Sequence, residues 1–361
     1  MANRPNRHYL RSLPQNARRA LVRDARRGGV TLVLGAGVSL SRGLRSWPDL
    51  VRAMWRRVTG DERLPDWMGA GGAKPHPLAY QMVFEELEHA LRAEEIKAAR
   101  DNGGELEAAE RASERFAALL AQELYRDFAD GPRSGDTLDV LARLLRQEQA
   151  SPTPRIERVI TFNADDLLEI EANRGHSYQS APVVWAVPRA SFHPRRGGGA
   201  GGRSPIQVYH LHGYLPNVRN RRASPDTLVF TDAQYWRSLA NPASFANRVF
   251  AGALQDSHCV FIGLSMEDVN LMRWLGLRHV EFEDDFLARY GAPGTSTKNV
   301  WENLRDNANR HFWITTEGGD PSRIIASHLE RRGVRTLVLE GWGAPFEELI
   351  EECFPAPAAA D

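Results

Sequence analysis

Thr31-Leu32-Val33-Leu34-Gly35-Ala36-Gly37-Val38-Ser39 is the stretch whose reading decides the fold. Val30 to Leu34 is an apolar, β-branched-rich run that stops at glycine, the pattern of a parallel strand covered on both faces. Gly35 and Gly37 lack a Cβ, so the backbone there can turn tightly and approach a ligand closely. The spacing predicts a helix beyond them, whose free N–H groups would face a phosphate. A dinucleotide fingerprint, G-x-G-x-x-G, needs its third glycine where this chain has Leu40. With that glycine missing, Gly-Ala-Gly fits a nucleotide site and a plain βα turn equally well. Its meaning depends on the rest of the chain.

Working outward, Trp47-Pro48-Asp49-Leu50 opens a helix through Met54, Trp55 and Val58, with Pro48 in the first turn where its missing N–H costs nothing. Residues 61–150 change texture and carry helical periodicity: Val83, Leu87 and Leu91; Phe116, Leu120, Leu124 and Phe128; Leu138, Leu141 and Leu145. Strand signals resume at Arg158 to Phe162, Pro182 to Val187, Ile206 to Leu211, Cys259 to Ile262, Phe312 to Thr315 and Val334 to Leu339. A last helix carries Phe346, Leu349, Ile350 and Cys353. Short apolar strands alternating with helices predict an α/β chain, a Rossmann-like doubly wound parallel sheet with a helical insertion. The expected organisation is a basic extension at 1–29, a sheet domain at 30–60 and 151–354, the helical insertion at 61–150 and a tail at 355–361.

The leader sets eight arginines (Arg4, Arg7, Arg11, Arg18, Arg19, Arg23, Arg26, Arg27) against one acid, Asp24. It reads as a solvated helix with Ala17, Ala20 and Leu21 on its apolar side, ahead of a docking arm for an acidic surface or nucleic acid. Gly197 to Gly202 reads as a linker or lid: no Gly-Lys-Ser/Thr follows, so it is not a P-loop. The chain has 46 basic and 46 acidic residues, so no overall field draws it to nucleic acid or membrane. Direct nucleic-acid binding is not expected of the core. Cys259 and Cys353 are too few for a disulfide framework or a cysteine zinc site. No membrane span or secretory signal is read, and a cytoplasmic location is expected.

Parallel sheets bind ligands beyond the carboxyl ends of their strands. Polar turns stand there in this chain. Asn163, Asp165 and Asp166 follow one strand; helix capping explains the two aspartates well, while for Asn163 capping and function weigh equally. His210 and His212, at i and i+2, share one face of their strand. No third ligand is grouped with them, which argues against metal. His212, before Gly213 at the open end, is the better general base, because an imidazole titrates near neutral pH. Gly263 and Ser265 repeat the logic of Gly35 and Gly37.

Together these turns resemble the sirtuin superfamily, and more closely its bacterial defence-associated branch than the protein deacylases. The resemblance runs through Gly35-Ala36-Gly37-Val38-Ser39, Gly43, Trp47-Pro48 and Leu50; Thr161-Phe162-Asn163-Ala164-Asp165-Asp166-Leu167-Leu168-Glu169; His210-Leu211-His212-Gly213; and Phe261-Ile262-Gly263-Leu264-Ser265 with Asp268 and Asn270. It implies that Gly35, Ala36, Gly37 and Ser39 hold the NAD pyrophosphate and its neighbouring ribose. It implies further that Asn163 and Asp165 lie beside the nicotinamide ribose, that His212 is the catalytic histidine, and that Gly263, Ser265 and Asn270 take the adenosine side. Breaking the nicotinamide–ribose bond builds positive charge on the sugar; an amide can hold a hydroxyl or water, and an imidazole can take its proton.

The departures from the deacylases set the expected activity. Their zinc module needs four cysteines, which this chain lacks, and Gly43-Leu44-Arg45-Ser46-Trp47 replaces their Pro-Asp-Phe-Arg element. The expectation is an NAD glycohydrolase of antiphage defence, with NAD as substrate and no zinc. Other acceptors, as in a deacylase or an ADP-ribosyltransferase, and a non-catalytic NAD or ADP-ribose sensor are the alternatives. A lethal hydrolase needs restraint, so a homo-oligomer or a partner that controls access is expected; the resemblance offers self-assembly, a HerA-type ATPase or an Argonaute, and the sequence does not choose among them.

Overall fold

The computed structural model describes residues 13–65, 68, 77–99, 104–129, 136–176, 182–189, 204–217, 228–290, 310–316 and 323–356. Its strands are β1 (Val30–Leu34), β2 (Ile156–Thr161), β3 (Val184–Val187), β4 (Ile206–His210), β5 (His258–Ile262), β6 (His311–Thr316) and β7 (Val334–Leu339). All pair in parallel, in the order β3-β4-β2-β1-β5-β6-β7. The expected strands are present, shifted at their ends by a residue or two. Parallel neighbours need crossovers, and each of those from β1 to β2, β2 to β3, β4 to β5, β5 to β6 and β6 to β7 carries at least one helix. In chain order the helices are α1 (Leu13–Arg27), α2 (Trp47–Thr59), α3 (Pro77–Ala99), α4 (Glu105–Leu124), α5 (Thr137–Ala150) and α6 (Leu167–Ala172). There follow α7 (Asp232–Ala240), α8 (Phe245–Asp256), α9 (Val269–Tyr290), α10 (Arg323–Arg331) and α11 (Ala344–Cys353).

The chain winds from β1 out to one edge and returns to place β5 on the other side of β1. The switch point of this doubly wound sheet therefore lies at the carboxyl ends of β1 and β5. Every residue of β1 is buried, because both faces of the sheet are covered. Val30, Leu32 and Leu34 join the core beneath α1 to α6 and α11, while Val33 faces the core of α8, α9 and α10. Thr31, on the second face, pairs its hydroxyl with Ser257 at 2.7 Å.

Two expectations change. The helix predicted directly after Gly37 is instead two short 3₁₀ turns, Ala36–Val38 and Leu40–Arg42, and a regular helix begins only at Trp47. Gly43, left-handed at φ 85°, ends the second turn; Ser46 then caps α2. The leader helix is not a solvated arm. Ala17, Ala20, Leu21 and Ala25 recur at helical spacing and are buried in the core, with α1 packed on β7 and α11. Arg18 pairs with Glu352, and Arg26 donates to the Glu352 carbonyl. The glycine-rich segment 197–202 lies outside the described residues.

Within 61–150, α3 and α4 run antiparallel. Their short connection brings them side by side, and Glu88–Ser113, Glu95–Arg111 and Glu94–Arg115 link them. The third helix, α5, packs against α6 and α11 and leads directly into β2. Among the described residues no helix is long and apolar enough to cross a membrane.

Candidate active site

The first turn is built around close backbone approach. A Cβ on Gly35 would stand 2.6 Å from the Gly263 carbonyl oxygen, and one on Gly37 would stand 2.8 Å from the Gly263 Cα. Glycine is thus required at both positions for packing against the turn after β5, before any ligand is considered. Gly35 N–H donates to Ile262 O at 2.9 Å and Gly37 N–H to Gly263 O at 3.0 Å. Val38 and Ser39 N–H donate back to Gly35 and Ala36. The donors expected to face a phosphate are therefore largely used inside the protein. Ala36 N–H, at the exposed tip, is the one with no partner among the described residues.

Asn163 ties the second turn to the first. Its Nδ2 donates to Gly35 O at 3.0 Å and lies 3.4 Å from Ser39 Oγ, while its N–H donates to Thr161 Oγ1 at 3.0 Å. Only the NH₂ of an amide can donate to a carbonyl, so the network fixes which way the amide points. The hydrogen bonds of Asn163 among the described residues use its N–H, its Nδ2 and its carbonyl, leaving Oδ1 as an acceptor. Ser39 Oγ donates to Asp165 Oδ1 at 3.0 Å, and Leu167 N–H donates to the same oxygen at 3.2 Å. Burial pushes the Asp165 carboxyl up to about 6, against those two hydrogen bonds. Asp166 occupies the cap position of α6, yet its side chain does not cap the helix. It accepts instead from Asn217 N–H at 3.0 Å, and burial raises its pKa as well.

The strand does not carry both histidines on one face as expected: β4 ends at His210, His212 lies in the turn beyond it, and the two have separate surroundings. His210 is sealed, its side chain 0% exposed, with Nδ1 3.0 Å from Asn163 O and Nε2 2.6 Å from Glu169 Oε1. Burial opposes charge on this ring, but Glu169 and the Asn163 carbonyl prevail and raise its pKa. His212 keeps 18% of its side chain exposed and stands edge-on to Phe162, ring centroids 4.9 Å apart. Burial lowers its pKa despite Asp268, whose Oδ2 lies 3.9 Å from Nε2. A neutral imidazole at neutral pH is the form that can accept a proton. It lines a cavity of about 10 Å³ with Phe162, Asn247, Phe250 and Asn270, the space of roughly one water.

The remaining candidates divide. Gly263, at φ 68°, serves the glycine contact already described, and Ser265 is exposed beside it on the loop. Asn270 is buried next to His212; its Nδ2 lies 3.4 Å from Asn247 Oδ1, and its Oδ1 accepts from Arg273 at 3.0 Å. The glycine turn, Ser39, Asn163 and Asp165 are thus joined by hydrogen bonds, and His212 and Asn270 share a cavity. Sequence reasoning missed Tyr235, whose hydroxyl lies 3.3 Å from Asp268 Oδ1 and accepts from Asn270 N–H at 2.6 Å. It also missed Tyr125, which reaches Asp166 and the Leu215 carbonyl from the residue that ends α4 as its C-cap. Neither tyrosine stands in a motif, and only tertiary packing brings them here.

No curated protein matches the chain. A family model described as the SIR2-like domain matches residues 157–337, from β2 into β7. The match takes in the turns of Asn163, His212 and Gly263, half of the chain as a whole, and the parallel sheet agrees with it. The chain belongs to the SIR2-like domain family.

Proposed function

We propose that this protein is an NAD glycohydrolase, releasing nicotinamide and ADP-ribose, and that it drains NAD in antiphage defence. SIR2-like domains use NAD. The observation that carries the hydrolytic reading is the fixed Asn163 amide: Nδ2 is held by Gly35 O, and Oδ1 is left to accept from a ribose hydroxyl or a water. As positive charge builds on the sugar, Asn163 Oδ1 orients the hydroxyl or water and neutral His212 takes its proton. The room for about one water beside His212 suits water as the acceptor. Both cysteines also favour hydrolysis over deacylation. Cys259 and Cys353 are buried in separate parts of the core, two thiols where the zinc module of a deacylase needs four.

The test is direct. Incubated with NAD, the protein yields nicotinamide and ADP-ribose; His212→Ala loses roughly 10²–10⁴-fold in turnover while still binding NAD. Asn163→Ala also loses turnover, and the double variant loses far less than the product of the two. Intact NAD together with deacylated acetyl-lysine peptide, or with protein-linked ADP-ribose, refutes the reading. The helical segment 61–150 is read as the surface on which self-assembly or a partner restrains the enzyme. A purified monomer that is constitutively active refutes that part.

A further inference from the structure

We propose that His210 and Glu169 form a positioning pair that sets the aim of the Asn163 amide; this rests on the reading of Asn163 as a residue that touches substrate. A neutral imidazole has a single N–H. Here both ring nitrogens face acceptors, Asn163 O at 3.0 Å and Glu169 Oε1 at 2.6 Å. The contact to Glu169 must therefore contain a proton, on the ring or on the carboxyl, and Nδ1 must carry its own proton toward Asn163. The side chains are 0% and 6% exposed, so water does not compete for these bonds. The Tyr214 ring closes the site at 4.7 Å from the imidazole, in an edge-on arrangement.

The consequence is a main chain held from several directions. His210 Nδ1–H binds the Asn163 carbonyl, Thr161 Oγ1 binds its N–H, and Gly35 O binds its Nδ2. The one polar atom of Asn163 left over is Oδ1, which can turn toward substrate only as accurately as the backbone beneath it is held. A residue needed only to fill the core would be apolar. Glu169 is instead buried with Oε2 lacking any partner among the described residues. Such buried ionic groups do not commonly add stability over well-packed apolar ones. The raised pKa of His210 agrees with a retained proton.

The test uses the full chain. In Glu169→Gln the new amide can donate to Nε2, so a neutral ring keeps its Nδ1–H on Asn163. The paired change His210→Phe with Glu169→Leu removes every polar atom of the pair while leaving no charge stranded. The paired variant, folded by circular dichroism, should lose about 10²-fold in kcat with KM for NAD changed by less than about threefold, whereas Glu169→Gln should keep most of the turnover. A folded paired variant with wild-type kcat overturns the proposal, as does a Glu169→Gln protein as slow as the paired one. A second measurement needs neither folding of variants nor activity. Imidazole ¹⁵N spectroscopy of the wild-type protein should find a proton on His210 Nδ1, and a bare Nδ1 overturns the proposal. Were the wild-type protein inactive on NAD, the hydrolase reading would fall, while that spectrum would still decide for or against the pair.

Discussion

Asp165 is the residue at which the candidate site works against the fold. It lies 7% exposed between Ser39 and Leu167, and burial lifts its carboxyl from 3.8 to about 6. That displacement corresponds to about 3 kcal/mol against the charged form, at 1.36 kcal/mol per unit. Because the folded pKa is above the unfolded one, the folded state holds the proton more firmly between about pH 4 and 6. Stability therefore falls as pH rises through that window and levels off above it. Asp165→Asn keeps an oxygen that can accept from Ser39 and Leu167 but carries no charge. Relative to wild type it should be near neutral close to pH 4 and more stable by about 1–3 kcal/mol at pH 7.5. Urea denaturation of both proteins across this range reads the difference. His210 contributes a slope of its own, present in both proteins: its raised pKa gives stability that is lost as pH rises through the folded value. Subtracting the two curves removes most of it. An Asp165→Asn protein no more stable at pH 7.5 than wild type, or one whose advantage grows toward acid, refutes the argument.

Two further outcomes follow from the packing. Gly37→Ala should destabilise by about 1–3 kcal/mol in the same urea assay, because the added Cβ meets the backbone of Gly263 at 2.8–2.9 Å and neither strand end can give way. An unchanged midpoint would mean that the two turns are not locked together. Tyr125→Phe should cost about 1–3 kcal/mol, since the hydroxyl accepts from Asp166 N–H at 3.1 Å and lies 2.7 Å from Leu215 O, and both groups would lose a partner in a part-buried place. Stability equal to wild type would show that water replaces the hydroxyl there.

The sheet was legible in the sequence because its strands are short, apolar and ended by glycine or polar residues. Val30 to Leu34 is the clearest case: a run buried on both faces needs no alternation, and none is there. The leader was misread because arginines dominate its composition, whereas Ala17, Ala20, Leu21 and Ala25 decide its packing. Small alanines make a weak apolar stripe by eye and a close helix-to-sheet contact in the fold. The segment after Gly37 was misread for a different reason. A helix there would need the N–H groups of Gly37 to Ser39 free for its first turn, but Gly263 O takes one and local 3₁₀ bonds take the others. That partner is remote in sequence. For the same reason the chemistry of Asn163, His210 and His212 could be named from motifs, while the opposite pKa directions of the two histidines could not. Glu169 faces one ring and Asp268 stands off from the other, and only the folded chain decides which carboxylate comes close.

The helical segment between β1 and β2 is joined to the turns of the candidate site at distinct points, and the kind of joint matters. Arg42, on the 3₁₀ turn after Ser39, is 1% exposed and paired to Asp136 at the start of α5 and to Glu171 on α6. Its carbonyl also accepts from Ala129 N–H, just beyond α4. Tyr125 reaches Asp166 and Leu215 from the end of the same helix. Buried ionic links of this sort are poor sources of net stability, but they fix register, since any displacement strands a charge away from water. A partner that shifts α4 would thus have to move Arg42 and Tyr125 with it, disturbing the turns of Gly37, Asn163 and His212 together. Rigid joints alone do not make a switch: that requires a second arrangement of α4, which the partner binds better than the first. Holding the turns in one register is enough to explain why these polar side chains are buried, and regulation through α4 adds only the demand that a second register exist.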